Sequence, residues 1–164
     1  MDSQGAGSDL LSLLNQALAR ELQVCIQYMI QHAIGAAREP APSGKTPEGK
    51  RSSFVGSHSM YWLPGITLKK IAIAEMRHAE SIAERIVHLG GEPTTEASDI
   101  VLGQAVREML ELDREEERSA IVLYQRIIAA AQAQHDEETV RLFQGILSQE
   151  EKHHQAFSGL IGQG

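Results

Sequence analysis

Aromatic residues are scarce in this sequence: 3 Phe, 3 Tyr and 1 Trp in 164 residues. A core with so few large rings must be filled by aliphatic side chains, and prominent Ala, Ile, Leu and Glu favour helices. Cysteine occurs once, at Cys25, which excludes an internal disulfide and a disulfide-stapled scaffold. Long apolar runs are missing as well. Arg, Glu, Gln or His interrupts every helical segment before it reaches the roughly 18 residues of a membrane span. Positive charge is in the minority, 15 Lys and Arg against 22 Asp and Glu. The resulting net charge of -7 argues against a nucleic-acid-binding surface and suits a protein that attracts cations. The opening MDSQGAGSDLLSLL lacks the basic and apolar regions of a secretory signal, so a reducing cytoplasm is the expected location, with neither nucleic acid nor membrane as a partner.

What is present is helical periodicity. A chain of 164 residues has room for a single domain, 1–164, with a sizeable core. Residues 1–8 are rich in Gly and Ser and are expected to be flexible, with Ser8 or Asp9 available as an N-cap. The first helix, α1, is expected over about 9–37, with the inward stripe Leu14, Leu18, Glu21, Cys25, Tyr28, His32, Gly35. From Arg38 to about Pro64, three prolines between 40 and 47 and Gly44, Gly49 and Gly56 forbid a long helix, so a long, locally basic loop is expected. Disorder is expected over 39–52, and Phe54, Tyr61 and Trp62 can anchor the second half of the loop. His58 reads as a loop residue. A second helix, α2, is expected over about 65–89, ending at Gly90-Gly91. After a turn, GGEPTTEASD, α3 is expected over about 100–133 with the stripe Val106, Leu110, Asp113, Glu117, Ala120, Tyr124, Ile127, Ala131. Asp136 can cap α4, expected over about 137–158, and the glycine-rich 159–164 is expected to be a flexible tail. Four long helices with short α2–α3 and α3–α4 turns predict an all-α, antiparallel four-helix bundle.

Ionisable residues stand at core positions in every helix. In α2 the stripe Leu68, Ile71, Glu75, His78, Ile82, Ile86, Leu89 contains a carboxylate and an imidazole three residues apart, about 300° of rotation and so one face of the helix. The α4 stripe Val140, Phe143, Leu147, Glu150, His153, Phe157, Leu160 contains the same pair. Glu21 interrupts α1. The register of α3 selects Glu117 from the charge run 114–118, with Asp113 the weaker candidate. The two halves of the chain repeat. Glu21 precedes Tyr28 by seven residues and Glu117 precedes Tyr124 by seven, while Glu75-x-x-His78 answers Glu150-x-x-His153. A pseudo-two-fold relation between the halves would bring four Glu and two His together. Two divalent cations would balance the four carboxylates, with neutral imidazoles completing the coordination. One Glu from each of two helices plus a Glu-x-x-His from each of the other two is the known ligand pattern of ferritin-like di-iron carboxylate bundles, which this chain resembles. A buried polar network without metal is the competing reading.

On these residues the chain resembles the bacterioferritin branch of the ferritin-like superfamily. The segments NQALARELQVCIQYMI, EMRHAESIAERI and ILSQEEKHH look like that family's iron-ligand segments, and the 33 positions from Glu117 to Glu150 fit its spacing. The resemblance implies two iron ions per chain, bridged by Glu75 and Glu150, with Glu21, His78, Glu117 and His153 as terminal ligands. His154 competes with His153. The same Glu and His ligands also accept manganese. Tyr28 resembles a tyrosine that in that family stands beside the iron site, placed to donate a hydrogen bond or an electron, against the alternative of a core aromatic with a satisfied hydroxyl. Cys25 reads as a small filler. Met76, about 100° round from Glu75, resembles the methionine that ligates a haem b between two subunits, against the alternative of simple packing at a dimer face.

The implied activity is that of a ferroxidase: Fe(II) is oxidised by O₂ or H₂O₂ for iron storage or detoxification, in a homo-oligomer of at least two subunits served by a ferredoxin-type electron donor. Two departures from the family stand out. Glu21 to Glu75 spans 54 positions, 21 more than the corresponding step in the second half, and no fifth helix follows Leu160-Ile161. A dimer or another assembly therefore stands beside a closed shell, and a small di-iron or di-manganese peroxidase or oxidase is the alternative activity. A non-enzymatic helical scaffold using the basic 45–51 loop is the further alternative.

Overall fold

The computed structural model describes residues 3–37 and 59–162, with side chains over 9–34 and 67–162. Four helices make up the fold: α1 Ser3–Ala37, α2 Ser59–His88, α3 Val106–Ala133 and α4 Glu137–Gly162. The expected loop 38–64 is therefore shorter at its C-terminal end, because α2 already includes 59–64, Pro64 among them. Residues 38–58, with Phe54 and His58, lie outside the described residues, as do the side chains of Tyr61 and Trp62. At the chain's two ends, α1 begins at Ser3 inside the stretch expected to be flexible, and α4 runs on to Gly162 through most of the expected tail.

One connection departs from expectation. The stretch after α2 is no short turn but an extended crossover, and α3 begins at Val106 rather than near 100. Gly90, at φ 77°, ends α2 in the left-handed conformation, and the amides of Gly90 and Gly91 donate to the carbonyls of Val87 and Ile86 in a Schellman cap. Gly91 then passes α1 so closely that a Cβ there would sit 2.6 Å from Leu11 Cδ2. The chain climbs beside α1. Asn15 donates to the Glu92 carbonyl and accepts from the Thr94 amide, the Ser98 amide donates to the Ala19 carbonyl, and the Val101 amide donates to the Gln27 side chain. Side-chain and backbone groups of α1 thus satisfy backbone groups that a strandless segment would otherwise leave unpaired. The crossover delivers α3 to the far end of the bundle, where Asp113 accepts from Gln27 and Gln31, and sends it antiparallel to α1.

The turn into α4 is tight. Asp136 accepts from the Thr139 amide as its N-cap, and Arg85 of α2 donates to Asp136, Glu138 and Thr139, tying the lower ends of α2 and α4 together. Two apolar clusters fill the bundle. The lower one includes Leu14, Leu18, Ile82, Ile86, Ile127 and Phe143, and the upper one Val24, Tyr28, Leu68, Ile71, Leu110 and Phe157. Between them every helix presents charge. Along α1 the lower cluster stops at Leu18 and the upper one starts at Val24, and Glu21 lies in the gap. The apolar clusters seal the polar layer from above and below.

Candidate metal centre

The repeat read from the sequence appears in space as crossed hydrogen bonds. Tyr28 of α1 donates to Glu117 of α3 at 2.5 Å, and Tyr124 of α3 donates to Glu21 of α1. The rings are packed the same way: Tyr28 lies 5.4 Å from Phe157 and Tyr124 lies 5.3 Å from Phe143, centroid to centroid. Each half of the chain thereby orients the carboxylate of the other. Tyr28 is both things the sequence left open, a core aromatic and a partner of a candidate ligand. Tyr124, noted only as part of the repeat, holds the equivalent place.

All six expected ligands converge. Glu21, Glu75, His78 and Glu150 place ligand atoms within 4.8 Å of one another, and so do Glu75, Glu117, Glu150 and His153. Glu75 and Glu150 belong to both groups. The i, i+3 spacing does what helical geometry requires of it: His78 Nδ1 is 2.8 Å from Glu75 and 3.0 Å from Glu150, and His153 Nδ1 is 2.9 Å from Glu75 across the bundle. The imidazoles lie 6.2 Å apart. Three residues that the sequence kept as weaker candidates or fillers, His154, Asp113 and Cys25, belong to neither group. Asp113 lies one turn from Glu117, held by the amides of Gln27 and Gln31, and burial pushes its carboxyl up to about 7.

Electrostatics in this layer are dominated by burial. The four glutamates are fully buried. Burial, reinforced by the charge of Glu75, pushes Glu21 up to about 8 against the pull of Arg20, and burial drives Glu117 well above the carboxylate range. The other two go down. Burial alone would raise Glu75 and Glu150, but the imidazoles beside both and Arg20 outweigh it and hold them low, Glu150 well below its ordinary value. Burial likewise opposes charge on the imidazoles, and the carboxylates prevail: Glu150, Glu21 and Glu75 bring His78 up to about 12, and Glu150 and Glu75 bring His153 up to about 9.

Arg20 is the residue that sequence reasoning missed. It is buried, donates through Nη1 to Glu21 at 3.2 Å and to Glu150 at 3.1 Å, and sets Nη2 3.2 Å from Glu117. Sitting about 100° from Glu21 on α1, it falls off the apolar stripe and reads as one more solvated cation. The signal that could have found it is charge balance, since four buried carboxylates call for cations nearby.

The donor set suits divalent metal ions. Glu21 Oε2, Glu75 Oε1, Glu117 Oε2, Glu150 Oε1 and His153 Nδ1 are all buried with no hydrogen-bond partner, although ionic neighbours lie close. Unpaired buried acceptors converging from four helices are what a cation would satisfy, and carboxylates with imidazole suit iron, manganese or zinc. A cavity of about 390 Å³ between α2 and α4, walled by Arg77, His78, Ser81, Arg141, Gly145 and Gln149 among others, reaches the layer at His78.

The comparisons with known proteins agree with this geometry. A family model described as a ferritin-like domain matches residues 65–164. The chain is 36% identical over 145 residues to a bacterioferritin of Desulfovibrio desulfuricans, a match covering 88% of this chain and 69% of that protein. It is 27% identical over 146 residues to a bacterioferritin of Mycolicibacterium paratuberculosis, covering 88% and 79%. Among solved structures it is similar to D. desulfuricans bacterioferritin, whose diiron site was captured in different catalytic states, with TM-score 0.79 and 32% identity over 99% of this chain and 83% of that one. It shares the fold of Rhodobacter capsulatus bacterioferritin, a structure with a metal-free dinuclear site and heme iron, with TM-score 0.77 and 22% identity over 95% and 85%. Among the described residues no helix is long and apolar enough to cross a membrane.

Metal binding requires Glu21 ionised and both imidazoles neutral, so it must expel protons. Raising the pH through about 8 to 9 strips those protons from Glu21 and His153, and divalent-ion affinity should climb. Calorimetric Co²⁺ titrations between pH 6 and 9, in buffers of different ionisation enthalpy, should show tighter binding at the higher pH and net proton release. An affinity flat across that range would contradict the assignment.

Proposed function

The chain belongs to the ferritin-like family, among its bacterioferritins, and from that premise we propose that it is a ferroxidase that oxidises Fe(II) with O₂ or H₂O₂ for iron storage or detoxification. The observation that carries the reading is the two overlapping ligand groups sharing Glu75 and Glu150. In this reading Glu21 and His78 complete one metal position and Glu117 and His153 the other, with Glu75 and Glu150 common to both. Fe(II) bound there would supply the electrons, two Fe(II) giving one each to H₂O₂, which with two protons becomes two waters. Carboxylate-rich ligation favours the harder Fe(III) product. The residues of this chain have separable tasks. Tyr28 and Tyr124 fix the orientation of Glu117 and Glu21, and the apolar clusters above and below limit water.

The proposal extends to the whole chain as one ferritin-like domain, active as a homo-oligomer in a reducing cytoplasm, with an electron donor of the ferredoxin type. Apolar residues exposed on α1 and α2, among them Ile26, Met29, Ile30 and Ile73, support a subunit contact. Met76 is 53% exposed on a face of α2 turned away from the buried glutamates, which suits a haem b ligand shared between two subunits.

Two measurements test these readings. Anaerobic Fe(II) titration followed by exposure to oxidant should give about two irons per chain and rapid Fe(III) formation in the wild type, with Glu75→Ala slowing oxidation at least about a hundredfold, as is typical for loss of a group essential to the chemistry. An unchanged rate in that variant would sink the ferroxidase assignment. Protein produced with ample haem should show a Soret band that Met76→Leu abolishes while leaving ferroxidation intact, and a colourless wild type would remove haem from the account.

A further inference from the structure

The pseudo-two-fold that relates the halves is broken at one position inside the charged layer. The residue before Glu21 in α1 is Arg20, and the residue before Glu117 in α3 is Glu116. Arg20 is 6% exposed and reaches three of the four candidate glutamate ligands, at least one in each metal-capable group. Yet its own hydrogen bonding is incomplete. Nε and Nη2 are buried with no acceptor in hydrogen-bond geometry, so charge rather than a full set of hydrogen bonds keeps the guanidinium there. A cation held in this way, on oxygens a metal ion would need, is positioned to be displaced.

Charge counting gives the order of events, and it rests on the two-ion reading above. Four ionised glutamates carry four negative charges. Two divalent ions alone balance them, and Arg20 with one divalent ion supplies three positive charges, one short of balance. Arg20 together with two divalent ions supplies five, and the excess positive charge is buried. We propose that Arg20 is a resident counter-cation that holds the metal-free cluster together and must leave its carboxylates before the second metal ion binds, which makes loading stepwise and the second step the weaker. The residue is specific to one half of the bundle, so the two metal positions are inequivalent in a way that the sixfold ligand set alone would not make them. Arginine cannot relieve this conflict by losing its proton, as a lysine or histidine could.

The test uses Co²⁺ alone as the probe, on the full-length wild type and on Arg20→Gln and Arg20→Lys, with calorimetry, the visible absorption of bound Co²⁺ and thermal unfolding with and without metal. Wild type is expected to bind two Co²⁺ in two resolved steps. Arg20→Gln is expected to tighten the second step at least tenfold while the metal-free Tm falls by about 10 °C, the scale expected when a buried ion-pair network loses its cation. If that variant does not fold without metal, the expectation is that Co²⁺ restores the fold. Arg20→Lys, which keeps the charge, should retain the two resolved steps. A guanidinium with a purely structural role would weaken both readings together in Arg20→Gln. That result, or a second-step affinity equal to wild type, overturns the inference while leaving the two-ion reading intact. Wild type that binds no Co²⁺ overturns both.

Discussion

Four carboxylates within a few ångströms of one another, all removed from water, are the constraint around which this bundle is built. Mutual repulsion and burial both oppose their ionisation, and each must be met by positive charge or by a proton. The protein uses several sources at once. Arg20 supplies a permanent positive charge, and His78 and His153 take up protons because carboxylates surround them. Burial leaves Glu21 and Glu117 inclined to keep their own protons. On the two-metal reading each of these stands in for metal: the protons would leave when metal enters, and the guanidinium would swing aside. A polar network built only to hold helices in register would not need so much exchangeable positive charge.

The fold keeps this arrangement dry and rigid. Apolar clusters above and below pack Tyr28 against Phe157 and Tyr124 against Phe143, and the hydroxyls of the same tyrosines reach across to the glutamates. One side chain therefore belongs to the core and to the site. The crossover along α1 is the structural means to this end. It brings α3 back to the upper end of the bundle, so that α3 descends antiparallel to α1 and places Tyr124 opposite Glu21 and Glu117 opposite Tyr28. A short turn after α2 would have put α3 at the wrong end for either contact.

Much of this was legible in the sequence, for physical reasons that also mark where legibility ends. Glu75, His78, Glu150 and His153 announce themselves because an ionisable pair at i, i+3 in an apolar stripe has no cheap alternative to a shared partner. Glu21 and Glu117 follow from the repeat with Tyr28 and Tyr124. Arg20 escaped because helical phase places its Cβ beside the stripe, while a long side chain reaches back to the core independently of phase. The crossover escaped because Gly90-Gly91 does signal a stop, and the stretch after it is held by contacts with Asn15, Ala19 and Gln27 that lie roughly 75 or more positions away and leave no local pattern. At the helix ends, α1, α2 and α4 run beyond where glycine and proline would have stopped them, and in α4 Leu160 and Ile161 pack against the upper cluster.

The central claim is that this layer holds two metal ions between a shared pair of glutamates. Anomalous diffraction at the iron edge, from crystals loaded with Fe(II) without oxygen, tests it most directly. The account predicts two peaks per chain, both within bonding distance of Glu75 and Glu150, one completed by Glu21 and His78 and the other by Glu117 and His153. A map with no peak in this layer, or with iron bound only at the protein surface, would contradict it.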